Sequence, residues 1–464
     1  MKLKFIITFS CILISGWLRA EVELPSIFGD HMVLQRNSNA ALWGKADAKT
    51  EVSIITSWDD RKYIKESDKN GNWKIELATP NAGGPYSISI KNQGVTIKLK
   101  DVLIGEVWVC AGQSNMAMAM KGLKNQPILG ANREVAVSTN ENIRLFNIGN
   151  DISDAPLSDF KGQWKECVPQ HVVQFSAVAY YYGKLLNEAL DIPVGLITTC
   201  RGGTKIEPWI SGNTINEFEF IAKNEKEGWY GRKPSSLYNA MVHPMVGYSI
   251  SGVIWYQGES NMQKPNQYEQ LLPGLIRDWR AEWGIGDFGF YYVQIAPFNY
   301  GEPGNSAFIR DAMRKVSLQK IPNIGMVSLM DIGEQNNIHI ADKKTVGERL
   351  AFLALNKTYG LSGIEYSGPV LREMVAEGKL LKLYFDHAEN GLTSYGKPLT
   401  QFEIAGKNKR YFRAKAIITR EGVLLQADRV EEPVSVRYAF EDFVVGELFN
   451  TQGLPASSFW IENQ

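Results

Sequence analysis

Cysteine is scarce in this 464-residue chain, with four in all, and one of them, Cys11, falls inside the N-terminal apolar stretch. The remaining three, Cys110, Cys167 and Cys200, are an odd number at wide spacing. They form no disulfide framework and no CxxC pair of the kind that holds zinc. Cys110 and Cys200 both close apolar runs and read as buried thiols, which disfavours a cysteine nucleophile. Neither sign of charge is in excess, since Lys plus Arg and Asp plus Glu number 50 each. That balance speaks against a nucleic-acid partner, which would demand a basic surplus. Past the N-terminus there is no apolar run long enough to cross a bilayer, no internal repeat and no low-complexity linker.

What is present begins with a leader. Residues 1–20, MKLKFIITFSCILISGWLRA, carry two lysines, an apolar core from Phe5 to Trp17 and a small residue, Ala20, at the expected cut. This is the layout of a secretory signal peptide, too short in its apolar core for a comfortable membrane span. The expectation is a secreted or periplasmic protein, free of the membrane once the leader is removed.

Residues 21–100 read as short alternating runs (AALWGKA, EVSIITSW, RKYIKES, NWKIELA, YSISIKN, VTIKLKD) parted by turn signals such as Asp68-Lys69-Asn70-Gly71. They imply a small all-β unit of sandwich type. From 101 to 360 the rhythm becomes strand, loop, helix. GEVWVCA, IRLFNI, PVGLITT, SGVIWYQ, FYYVQIA and IGMVSLM are continuous apolar runs of strand length. Between them, Tyr268, Leu271, Leu272, Leu275, Ile276 and Trp279 fall on one helical face, with Pro273 expected to kink that helix or sit in its first turn. A second helix is expected from about Asp342 to Leu355. Such alternation predicts an α/β unit with a parallel sheet covered on both faces, whose ligands sit beyond the carboxyl ends of the strands. Residues 361–464 return to strands.

Four segments fall at those carboxyl ends: GQSNM with Ser114, TCRGGTKIEPW with Gly202 and Gly203, WYQGESN with Gln257, Glu259 and Asn261, and MDIGEQNNIHIADK with Asp331 and His339. A parallel sheet brings all four to one edge, so that Ser114 and His339 can meet. Alone, Ser114 is an ordinary strand-end serine, His339 a loop histidine and the glycine pair a turn. Together they compose an acyl-transfer site, in which His339 takes the Ser114 proton during attack on an ester carbonyl. The oxyanion would be met by the backbone N–H of Ser114 and by one at Gly202 or Gly203, where a glycine lets the chain come close to substrate. His243, in LYNAMVHPM, reads as structural, and Met116, Met118 and Met120 as packing.

GQSNM, the GGT followed by E-x-W, QGESN and IHIADKKTVGERL together resemble the sialate O-acetylesterase family of SGNH-type hydrolases. FGDHMVLQR, at 28–36, is similar to that family's N-terminal β-domain signature. The resemblance spans nearly the whole mature chain. It implies a flavodoxin-like α/β hydrolase domain at 101–360 flanked by β domains at 21–100 and 361–464, removing O-acetyl groups from sugars without a metal or other cofactor. It implies Ser114 as nucleophile, His339 as base and an oxyanion amide from Gln257, with Asn261 in reserve. Glu259 and Asn261 are then expected near substrate.

Three positions depart from the pattern. Asn336 stands where many relatives have an Asp three residues before the histidine, so the acid partner must be Asp331, the expected one, or Asp342, or else the pair runs as a dyad helped by a backbone carbonyl. Ile340 replaces a usual Pro. Arg201 replaces a usual Trp, and its planar fork suits a substrate carboxylate such as a sialic acid presents. The expected substrate is therefore O-acetylated sialic acid. Acetylated xylan or another plant polysaccharide is the nearest alternative, and a non-catalytic glycan-binding protein on the same scaffold the next.

Overall fold

The computed structural model describes residues 22–221, 233–301 and 305–462. The expected leader lies outside them. No helix of the described residues is long and apolar enough to cross a membrane.

One strand, Val95–Gly112, organises the fold. Its first part alternates exposed Thr96, Lys98 and Lys100 with more buried neighbours, and it pairs antiparallel with Gly83–Asn92. That is the pattern of a sheet with one wet face. At Asp101 the backbone turns left-handed, with φ of 51°. From Val102 onward every residue is buried, and the strand runs parallel between Val194–Cys200 and Gly252–Tyr256. The expected boundary at 100/101 is thus crossed by a continuous strand shared by the β-rich N-terminal part and the α/β core.

The core sheet orders its strands Ile324–Val327, Gly289–Val293, Gly252–Tyr256, Val95–Gly112, Val194–Cys200, Asn140–Asn147 and Trp164–Cys167. All neighbours are parallel except the last pair. Side chains of the central strand alternate between two layers. Val107, Val109 and Ala111 pack with Leu271, Leu275 and Ile276 of helix Pro265–Trp283 and Ile309 of helix Ala307–Ser317. Trp108 and Cys110 pack with Val178 and Tyr182 of helix Ala177–Leu190 and Leu350 of helix Lys343–Lys357. Each fully buried leucine contributes roughly 1.5–3 kcal/mol, so both faces must be covered for the sheet to persist. The protein is therefore a mixed α/β fold about a mostly parallel sheet. Pro273 lies inside helix Pro265–Trp283 rather than in its first turn.

The last hundred residues form antiparallel strands with their own apolar cluster. They seat on the core through fully buried Arg310. Its guanidinium donates to Ser458 Oγ (3.1 Å), Ser306 Oγ (2.9 Å) and the carbonyls of Asp442 (3.2 Å) and Glu441. Met330 joins that cluster, and its carbonyl accepts from Gly446 N at 2.7 Å. The loop after Ile324–Val327, which carries His339, is thereby fastened at its start.

Gly112 is the tightest point of the sheet edge, with φ of 142° and room for no side chain, because a Cβ there would stand 2.1 Å from the Tyr256 carbonyl oxygen. Gly112→Ala is expected to cost about 2 kcal/mol or more, from steric overlap and strained backbone together. Gly130→Ala, equally left-handed but with nothing within 4 Å of its Cβ, is expected to cost only about 1 kcal/mol. Urea unfolding of the two variants checks the contrast.

Candidate active site

The close approach at Gly112 lets Gln113 N donate to Tyr256 O at 3.0 Å, and the chain then makes a single helical turn, Ser114–Ala117. The turn lifts Ser114 out of the core while Gln113 and Asn115 on either side stay buried. Ser114 Oγ lies 2.8 Å from His339 Nε2. His339 Nδ1 lies 2.6 Å from Gln126 Oε1. An amide oxygen can only accept, so this contact places the imidazole proton on Nδ1 and leaves the Nε2 lone pair toward the serine hydroxyl. Gln126 is held in turn by a reciprocal backbone pair with Leu123, both bonds at 3.0 Å.

The loop of His339 is braced by Glu334, which accepts from Ala341 N (2.5 Å) and Asn337 Nδ2 (3.0 Å), while Asn337 Oδ1 accepts from His339 N (3.2 Å). Below it lies a buried polar cluster. Asn115 Nδ2 donates to Glu259 Oε1 (2.6 Å) and to Ile338 O (3.0 Å), and Asn115 Oδ1 accepts from Lys343 Nζ. Burial, seconded by the Lys343 ammonium, holds the His339 pKa below its ordinary value. Burial also brings the Lys343 pKa down to about 7, against the pull of Glu259, and raises that of Glu259.

Several expected residues stand elsewhere. Asp331 is turned away from the imidazole and grips Arg349 with both oxygens, at 2.8 and 2.6 Å. Asp342 caps helix Lys343–Lys357, accepting from Thr345 N at 3.0 Å. Neither carboxylate meets the imidazole, and the group in contact with its Nδ1 is the amide of Gln126. Gln257 is wholly buried. Its Nε2 faces Asn261 Oδ1 (2.8 Å), Thr204 O (3.1 Å) and Gln113 Oε1 (3.2 Å), which uses both its hydrogens and leaves none for an oxyanion. Asn261, 2% exposed, is committed to Glu207 Oε2 and Ile206 N, both at 3.0 Å, and so supports the loop instead of meeting substrate. Glu259 likewise points inward, to Asn115.

Gly202 does come to the serine, since a Cβ on it would stand 3.5 Å from Ser114 Cβ. Among the described residues neither its N–H nor that of Ser114 has a protein acceptor. Gly203 follows in the same exposed turn, with φ of 70°. Arg201 is half-buried beside them. Its backbone N–H donates to Gly112 O (3.0 Å), and Nη1 is 3.5 Å from Asp151 O. His243 Nδ1 lies 2.9 Å from Leu157 O, in the structural role expected of it. Cys110 is fully buried, and burial drives its thiol pKa up, away from nucleophilic use.

Residues 104–356 match the family model described as "Carbohydrate esterase, sialic acid-specific acetylesterase", more than half of the chain. The chain belongs to this family. It is accordingly a carboxylic ester hydrolase. The sialate O-acetylesterases of Mus musculus and Homo sapiens are 27% and 28% identical to it, over 78% of this chain and 79% and 76% of theirs. The crystal structure of a carbohydrate acetylesterase from Xanthomonas citri superposes with a TM-score of 0.88 at 30% identity, covering 96% of this chain and 100% of that one.

Gln126, Asn115, Glu334 and Lys343 were not singled out from the sequence. Asn115 and Lys343 lie within the quoted motifs but carry no mark of a buried partner there, and LKNQPI around Gln126 reads only as a turn. His339 is expected to titrate below about 6.5, the ordinary imidazole value. NMR of its ring resonances against pH measures this, and a titration at or above that value would contradict the environment described.

Proposed function

We propose that the protein is a serine carbohydrate O-acetylesterase that works through an acetyl-Ser114 intermediate, with O-acetylated sialic acid as favoured substrate. The observation that carries this reading is the 2.8 Å contact of Ser114 Oγ with His339 Nε2, with the opposite ring nitrogen held by Gln126. A pure glycan-binding protein has no use for that contact. The strand order of the core, with Asn140–Asn147 and Trp164–Cys167 taken as edge additions, is that of a flavodoxin-like sheet, and it supports an SGNH-type hydrolase domain. We assign the β-rich segments before and after it as flanking domains, and the leader as a cleaved signal that delivers the enzyme to the periplasm or outside.

In this reading Ser114 Oγ attacks the acetyl carbonyl carbon as its proton passes to His339 Nε2. The carbonyl oxygen becomes an oxyanion facing the N–H groups of Ser114 and Gly202, with Gly203 adjacent. Collapse breaks the bond to the sugar oxygen, which leaves with the proton from Nε2. Water, deprotonated by the same nitrogen, then attacks the acetyl-serine, and acetate departs as Ser114 recovers its proton. Gln126 keeps the imidazole in the accepting tautomer throughout. No step calls on a metal or cofactor.

Acetate release from 4-nitrophenyl acetate, O-acetylated sialic acid and acetylated xylan tests the reading. Ser114→Ala and His339→Ala are each expected to lose at least about a thousandfold in kcat, the scale on which an acyl-transfer machinery depends on its nucleophile and base. Retained turnover in Ser114→Ala would remove the mechanism. Because only neutral His339 can act as base and its pKa is lowered, kcat/KM is expected to hold to more acid pH than an ordinary histidine would allow, falling below about 6.5. Arg201→Ala is expected to weaken acidic substrates far more than neutral acetylated sugars, and equal losses would assign the specificity to neutral polysaccharide.

A further inference from the structure

Asn115 is 1% exposed and Lys343 wholly buried, and the two are hydrogen-bonded to each other beside the reacting pair. The two hydrogens of Asn115 Nδ2 go to Glu259 Oε1 and to the carbonyl of Ile338, the residue before His339. Its one oxygen takes the Lys343 ammonium. Turning the amide over would set its NH2 against that ammonium, so the side chain has one orientation. Lys343 opens the helix that follows the His339 loop, and its Nζ lies 5.6 Å from the ring centroid of Tyr256, at the end of the neighbouring strand. One buried amide thus ties together the serine turn, the histidine loop, the segment after strand Gly252–Tyr256 and the start of helix Lys343–Lys357.

A buried ammonium is costly unless it is paired, and an apolar side chain would fill the same space more cheaply. Its retention beside the reacting pair asks for a use. We infer that Lys343, acting through Asn115, is a positioning residue for the Ser114–His339 pair, with Glu259, which holds the same Asn115 amide, as a nearby counter-charge. The inference rests on the reading of Ser114 and His339 as nucleophile and base. Fixing Asn115 fixes Ser114 by the next peptide and His339 by the Ile338 carbonyl, so the 2.8 Å contact is set from below rather than by the side chains that make it. The lysine charge also favours the neutral imidazole. Around Lys343 stand the carboxylates of Glu259, Glu334 and Asp342, which stabilise its charged form.

Lys343→Met, Lys343→Gln, Asn115→Ala and the double variant Asn115→Ala/Lys343→Met test this on 4-nitrophenyl acetate. Lys343→Met and Asn115→Ala are each expected to lose about a hundredfold in kcat, the scale of a small misplacement of reacting groups, with KM almost unchanged. The double variant should be no worse than the poorer single one, since both remove the same link. Lys343→Gln keeps a donor without the charge. It should recover much of kcat while the acid limb of kcat/KM moves up in pH, as the cation that depresses His339 is gone. If Lys343→Met, or Lys343→Gln should the methionine fail to fold, merely lowers Tm and leaves kcat and the acid limb alone, the cluster is packing and the inference falls. Losses that multiply in the double variant would also overturn it. Failure of the underlying reading is separate, since it would show as activity retained by Ser114→Ala.

Discussion

The absence of a side chain at Gly112 is the constraint on which the rest of the site depends. A Cβ there would collide with the Tyr256 carbonyl, so only glycine lets the two central strands end side by side in register. That register allows Gln113 to pair with Tyr256, starts the one-turn helix immediately, and brings Ser114 up at the sheet edge. The Gly202 turn meets Ser114 from the adjoining strand, and the His339 loop meets it from beyond the far edge strand. The backbone thus brings the serine to the sheet edge, and side chains set how the serine and the histidine meet there.

Those side chains are unusual for the chemistry. Among the described residues no carboxylate meets the imidazole, because Asp331 is spent on Arg349 and Asp342 on a helix cap. Gln126 supplies orientation and tautomer without charge, while burial, seconded by Lys343, disfavours the charged ring. In the proposed reading the arrangement gives up electrostatic help to the protonated histidine, while its surroundings favour the neutral ring that a base needs.

Much of this was legible in the sequence, and what was not has a common cause. The switch in Val95–Gly112 from alternating to continuous apolar residues marks the passage from a half-wet antiparallel strand to a buried parallel one, and it can be read directly. The sheet placed the four motif segments at one edge, so the meeting of Ser114 and His339 followed from topology. Side-chain direction did not follow. Asp331 and Gln126 both lie in loops near the histidine in space, but only tertiary packing decides that the carboxylate turns to a helix arginine and the amide to the imidazole. Gln257 failed for a similar reason. Position within QGESN put it at the right strand end, whereas its burial and three acceptors, which motif spacing does not carry, withdraw it from the substrate side.

The central claim is that Ser114 carries the acetyl group between two half-reactions. Rapid-quench mass spectrometry of the intact enzyme mixed with 4-nitrophenyl acetate, followed by peptide mapping, tests it most directly. The account predicts a transient acetyl adduct on the peptide containing Ser114, absent in Ser114→Ala. Full turnover with no adduct on that serine, or an adduct that persists in Ser114→Ala at undiminished rate, would contradict it.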